Sequence, residues 1–166
     1  MTRAATPAVL RRRVRTVLNR LRKRYGELAP PRRVDPLDEL ILTVLSQHTS
    51  DVNSAVAFGR LREAFPTWEA VAEAPTQQVA DAIRPGGLAD TKAPRIQAIL
   101  GEVRERWGAY DLSSLRGLPD DEARAALMSL PGIGPKSAAV VLSFALGRDA
   151  MPVDTHVHRV ARRLGL

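Results

Sequence analysis

The 166-residue chain contains no cysteine. Within these residues this excludes a disulfide framework, a thiolate nucleophile and thiolate metal ligands, and it suits a reducing compartment. There are three histidines and no His-Glu-x-x-His pattern. His156 and His158 stand two apart, which on a helix points them to different faces, so no zinc site is expected. Aromatic residues make up 4% of the chain, too few for a platform that stacks single-stranded bases. No apolar run approaches the ~18 residues of a membrane-crossing helix, and no secretory leader is expected at the N-terminus. No segment alternates apolar and polar residues as a strand would, and no repeat or low-complexity tract is present. The expectation is an all-α fold, an orthogonal helical bundle, acting as a monomer in the cytoplasm and away from membranes.

Positive charge is abundant. Twenty-five Lys and Arg against eighteen Asp and Glu give a net charge of +7 and a pI near 10.9, a balance that suits a polyanionic partner. The excess is uneven. Arg11-Arg12-Arg13, Arg15, Arg20 and Arg22-Lys23-Arg24 crowd the start, and Arg159, Arg162 and Arg163 lie near the end. For the N-terminal arginines, DNA contact and a solvated helix face are equally open readings.

Helical periodicity organises the rest. Val14, Val17, Leu18 and Leu21 share one face of a basic helix ending near Tyr25-Gly26. Pro30-Pro31 reads as a connector. Asp35-Pro36 opens a helix through Leu37, Leu40, Ile41, Val44 and Leu45, and helices are predicted over 52–65, 67–74, 76–83 and 92–107. A chain of this length can bury roughly 70% of its unfolded surface, enough for one good core.

Chemistry concentrates in Leu130-Pro131-Gly132-Ile133-Gly134-Pro135-Lys136-Ser137. Asp120-Asp121-Glu122 begins a helix at the dipole end that favours acids, with Leu127 and Leu130 on one face. Pro131-Gly132 stops it. Gly132 can adopt the left-handed backbone of a tight exit, Gly134 is expected to let another backbone approach, and Pro135 suits the first position of a new helix. That helix runs through Ala138, Val140, Val141, Leu142 and Phe144, with Gly147 as its stop. Free N–H groups at its start favour a phosphate oxygen. An ordinary turn between packed helices is the bland alternative. An ATP-type phosphate loop fails on spacing, because Pro135 separates Gly134 from Lys136. Eighteen residues after Lys136 comes Asp154, in Val153-Asp154-Thr155-His156. Asp-Thr before Val157, Val160, Ala161 and Leu164 is the pattern of a helix N-cap, a role compatible with a catalytic carboxylate. His156 reads as a hydrogen-bonding residue near the cap and His158 as a packed or surface residue.

Residues 130–139 resemble the helix-hairpin-helix of the endonuclease III (HhH-GPD) superfamily of DNA glycosylases. Val153 to Val160 resembles the segment bearing that family's catalytic aspartate. Leu45-Ser46-Gln47-His48-Thr49-Ser50-Asp51 and Gly86-Gly87-Leu88, leading to Lys92-Ala93, extend the resemblance from about Asp35 to Leu166. It implies base-excision repair of duplex DNA carrying damaged bases, oxidised pyrimidines first, or abasic sites, in a nucleoid-associated protein. Lys136 is then the nucleophile that forms a Schiff base, followed by β-elimination, and Asp154 its activator. Gln47, His48, Leu88, Gly132, Ile133, Gly134 and Ser137 become the candidate DNA contacts, the 47–48 loop and Leu88 wedging into the duplex. Familiar members carry Gln where His48 aligns, so the choice between Gln47 and His48 stays open. For Lys92 and Arg95 a solvated helix face is the bland alternative. A mismatch glycosylase and a non-catalytic DNA-binding remnant are the alternatives.

The resemblance also implies domain organisation. Residues 1–30 form a basic helix belonging to an incomplete second domain, 31–150 a helical core, and 151–166 the aspartate helix leading back to the second domain. No cofactor is expected in this chain. Relatives often carry a [4Fe–4S] cluster on four later cysteines, so a longer native chain is the expectation, with reduced stability for this one and an exposed apolar face over residues 10–24.

Overall fold

A computed structural model describes residues 6–27 and 34–166. The predicted Pro30-Pro31 connector lies outside the described residues. Those residues form nine α-helices and no strand: α1 (Pro7–Tyr25), α2 (Pro36–Ser46), α3 (Asp51–Ala64), α4 (Trp68–Glu73), α5 (Thr76–Ile83), α6 (Ala89–Trp107), α7 (Asp120–Met128), α8 (Pro135–Val140) and α9 (Thr155–Arg163). The chain divides into two compact units, residues 33–152 and residues 1–32 with 153–166.

In the larger unit, α2 is the central element. Asp35 caps it by accepting from the N–H groups of Leu37 and Asp38 at 2.9 and 3.1 Å, and Pro36 fills the first position, where no N–H is needed. Leu37, Leu40, Ile41, Val44 and Leu45 are all fully buried. A helix apolar nearly all round must be enclosed, and α3, α6 and α8 pack around it. The tight connection between α4 and α5 is tied to α6 by Gln97. Its amide donates to the carbonyls of Val71 (3.0 Å) and Ala74 (2.7 Å) and accepts from Thr76 Oγ1 (2.7 Å).

α6 begins three residues before the predicted start at Lys92. Pro94 makes the first turns look broken, but its missing N–H falls near the helix start, where one lost bond is tolerable. Its apolar stripe is Ala89, Ala93, Ile96, Ile99, Leu100 and Val103, all buried.

Two arginines fasten the far ends of the helix-hairpin-helix. Arg116, in a 3₁₀ turn over Ser113–Gly117, donates to the carbonyl of Ala145 (3.1 Å) beyond α8. Arg148 reaches back to the carbonyls of Leu115 and Leu118, each at 2.6 Å, and pairs with Asp120 at the start of α7. Between them α8 loosens into a π-turn over Val141–Ala145, in which the Leu146 N–H donates to the Val141 carbonyl. Gly147 ends this run at φ +69°.

In the smaller unit, α1 ends at Gly26 and buries none of its residues. Val14, Leu18, Leu21 and Tyr25 are exposed. Arg13 donates to the carbonyl of Gly165 at 2.8 Å, joining α1 to the end of α9.

Candidate nucleic-acid interface and catalytic residues

The hairpin forms as its sequence dictates. α7 ends at Met128, the Ile133 N–H donates to the Leu130 carbonyl at 3.2 Å, and Gly132 sits at φ +72°. Leu127 and Leu130 anchor it in the core. Gly134 is extended at φ −99°, Pro135 opens α8, and no side chain caps that helix start. Lys136 follows, exposed to solvent.

Two expectations need correction. No protein backbone approaches Gly134: a Cβ there would meet nothing within 4 Å, so the space above it is open. The close approach occurs at Gly132, where a Cβ would lie 2.8 Å from Arg95 Cδ. Ile133, in the turn before α8, and Ser137, in its first turn, are both buried. Lys92 is not on a solvated face. It is 2% exposed, because it falls on the apolar stripe of α6.

Lys92 organises the neighbouring loops. Its ammonium donates to the carbonyl of Leu45 at 2.6 Å and to that of Gly86 at 2.8 Å. Burial first, and the Arg95 charge second, hold its pKa below the ordinary lysine value. One turn on, Arg95 donates to Gln47 Oε1 at 3.1 Å while its stem lies on Gly132. The 46–50 loop, the 84–88 loop and the hairpin thus converge on the first turns of α6.

Within this surface Gln47 is half-buried and held, whereas His48 is exposed at φ +56°. Leu88 is 56% exposed at φ +50°. These are the two non-glycine residues with positive φ among those described. A left-handed backbone under a non-glycine side chain costs of order 1–3 kcal/mol and concentrates at functional sites. Lys92 and the two strained backbones are what sequence reasoning missed. A lysine in register with Ala89, Ala93 and Ile96 was the signal for the first; the strain left none.

Asp154 belongs to the smaller unit. It is the N-cap of α9, its Oδ1 accepting from the Val157 N–H at 2.7 Å, so a helix start holds its carboxylate in a fixed direction. His156 and Arg159 are paired at 2.8 Å, and His158 is exposed. Among the described residues no group of three His, Asp or Glu could hold a metal. The iron–sulfur cluster that the resemblance raised finds no thiolate in this sequence, so these residues do not fit it.

Residues 41–166 match the family model of the HhH-GPD superfamily of base excision DNA repair proteins. A candidate DNA glycosylase of Arabidopsis thaliana is 42% identical over 129 residues, 78% of this chain and 44% of that protein. Endonuclease III of Thermotoga maritima is 38% identical over 131 residues, 79% of this chain and 57% of that protein. The chain thus spans about half the length of these curated relatives. Non-covalent and trapped covalent Endonuclease III–DNA complexes each superpose with a TM-score of 0.76 at 32% identity, covering 93% of this chain and 68% of theirs. With its hairpin, α-helical core and aspartate-capped helix, the chain belongs to the HhH-GPD superfamily of base excision DNA repair proteins.

Proposed function

We propose that this chain acts on duplex DNA as a glycosylase with abasic-site lyase activity, its preferred substrates being oxidised pyrimidines. The observation that carries the reading is an exposed amine, Lys136, placed in the first turn of the helix that leaves an uncapped hairpin with open space at Gly134. Main-chain N–H groups there donate to a phosphate oxygen, which sets the deoxyribose beside the amine. The likeness to a protein trapped in a covalent DNA intermediate supports the same chemistry.

In this reading Lys136 attacks as the neutral amine, and the resemblance to the family assigns the Asp154 carboxylate as its activator and as the group that stabilises positive charge developing on the sugar. The amine attacks C1′, the C1′–N bond breaks, and the base leaves with the electron pair and a proton. Opening of the sugar ring gives an imine between Lys136 and C1′. The imine acidifies C2′; loss of that proton breaks the C3′–O bond and releases the 3′ phosphate. Water then hydrolyses the imine and frees the lysine. The exposed His48 and Leu88 open the duplex by wedging beside the extruded nucleotide.

The test is borohydride trapping on abasic-site duplex, beside Lys136→Ala. A covalent adduct lost in the variant is expected. Salt-sensitive binding with no adduct would overturn the lyase reading and leave a DNA-binding module. Duplexes with thymine glycol or a G·T mismatch, run in parallel, separate oxidised-pyrimidine from mismatch specificity.

A further inference from the structure

We propose that Lys92 is a positioning residue that locks the 46–50 and 84–88 loops at one spacing, so that His48 and Leu88 meet the duplex as a pair. The inference rests on the reading of those two loops as the elements that open DNA.

The location of the charge is the first reason. Lys92 is the one fully buried charged side chain among the described residues. Burying an ammonium costs several kcal/mol, and an apolar side chain of similar size commonly gives an equal or more stable core. Its two acceptors are the second reason. They lie 47 and 6 residues away in sequence, and each sits two residues before a loop candidate: Leu45 before Gln47, and Gly86 before Leu88. A single –NH3+ group bridging two carbonyls fixes the distance between the chain segments that carry them.

Strain is the third. His48 and Leu88 both hold left-handed backbones, at φ +56° and +50°. Such conformations persist only where the surroundings over-determine them. On one side Gly86 is wedged against α3, where a Cβ would lie 3.0 Å from Ala57 Cβ. On the other, Lys92 holds the last turn of α2 at the Leu45 carbonyl, from which the 46–50 loop leaves, and the Gly86 carbonyl within the 84–88 loop. Without the ammonium each loop can relax to an ordinary backbone, and the two exposed side chains lose their common orientation.

The test uses the full chain and a duplex carrying 2-aminopurine beside a tetrahydrofuran abasic analogue, whose fluorescence rises when the base unstacks. Lys92→Met keeps the length and removes the donors. At saturating protein its fluorescence gain is expected to fall about fivefold or more, matching the lower end of the strain released. Adding Leu88→Ala to Lys92→Met should change little, since one coupled device is already broken. Val103→Ala, a destabilised core control at the other end of α6, should keep the signal. If Leu88→Ala lowers the signal but Lys92→Met does not, the positioning role is overturned and the loop reading stands. If Leu88→Ala alone leaves the signal intact, the loop reading fails and the inference with it. Should Lys92→Met not fold, amide exchange on the wild-type chain decides. Protection in the two loops that rises and falls together supports the lock, and values differing by about a hundredfold or more overturn it.

Discussion

Gly132 and Gly134 stand two residues apart in one hairpin, yet substituting alanine at each should separate folding from binding. At Gly132 the backbone is left-handed, φ +72°, and the new Cβ would sit 2.8 Å from Arg95 Cδ and 2.9 Å from its Nε. The left-handed conformation alone costs an L-residue about 1–2 kcal/mol. Displacing Arg95 breaks its 3.1 Å bond to Gln47, a further ~0.5–1.5 kcal/mol. A total near 2–3 kcal/mol corresponds to a melting point lower by roughly 5–15 °C for a unit of this size. At Gly134 φ is −99° and nothing lies within 4 Å. Alanine fits there, and by restricting the unfolded chain it should raise stability by about 0.4–1 kcal/mol. If a phosphate docks over Gly134, however, the added methyl displaces it, and duplex affinity should fall about tenfold, 1.4 kcal/mol. Urea unfolding and fluorescence anisotropy against a salt series measure the two effects. Because no charge is removed, the salt slope for Gly134→Ala should match the wild type. A Gly132→Ala protein melting within about 2 °C of the wild type would refute the stereochemical reasoning. A Gly134→Ala protein with undiminished affinity would refute the placement of phosphate at the hairpin.

Other consequences are as specific. Arg148, whose guanidinium holds two 2.6 Å carbonyl contacts and the Asp120 carboxylate, should cost about 1.5–3 kcal/mol on truncation to alanine, seen as a lower urea midpoint with unchanged slope. Burial raises the Glu39 carboxyl, so the folded state binds its proton more tightly than the unfolded state. This group's contribution therefore falls as pH rises through its raised value, and Glu39→Gln should gain stability over the wild type at pH 7 and lose that gain near pH 4. Lys92 is shifted the other way, its pKa lowered by burial and then by Arg95. The unfolded chain then holds that proton more tightly, so the stability contributed by Lys92 rises with pH between its depressed value and about 10.4. Unfolding from pH 8 to 10.5 should show that rise in the wild type and its absence in Lys92→Met.

What the sequence made legible is local. α5 runs over the predicted residues 76–83, and the hairpin, the Pro135 helix start and the Asp154 cap depend on two to eight neighbouring residues whose stereochemistry is set by residue type. What it withheld is tertiary. A lysine scores as polar, so Lys92 reads as solvent-facing unless its place on the Ala89–Ala93–Ile96 stripe is weighed above its charge. The two carbonyls that make its burial tolerable belong to residues 45 and 86, and nothing local announces that those segments meet. The burial of Ile133 and Ser137, which a motif names as contacts, was likewise not legible from the motif itself. A motif therefore fixes which backbone is presented, while the packing beneath it decides which side chains are free to act. That division explains why Lys136 is the motif side chain left exposed, while His48 and Leu88 stand exposed at strained positions on neighbouring loops.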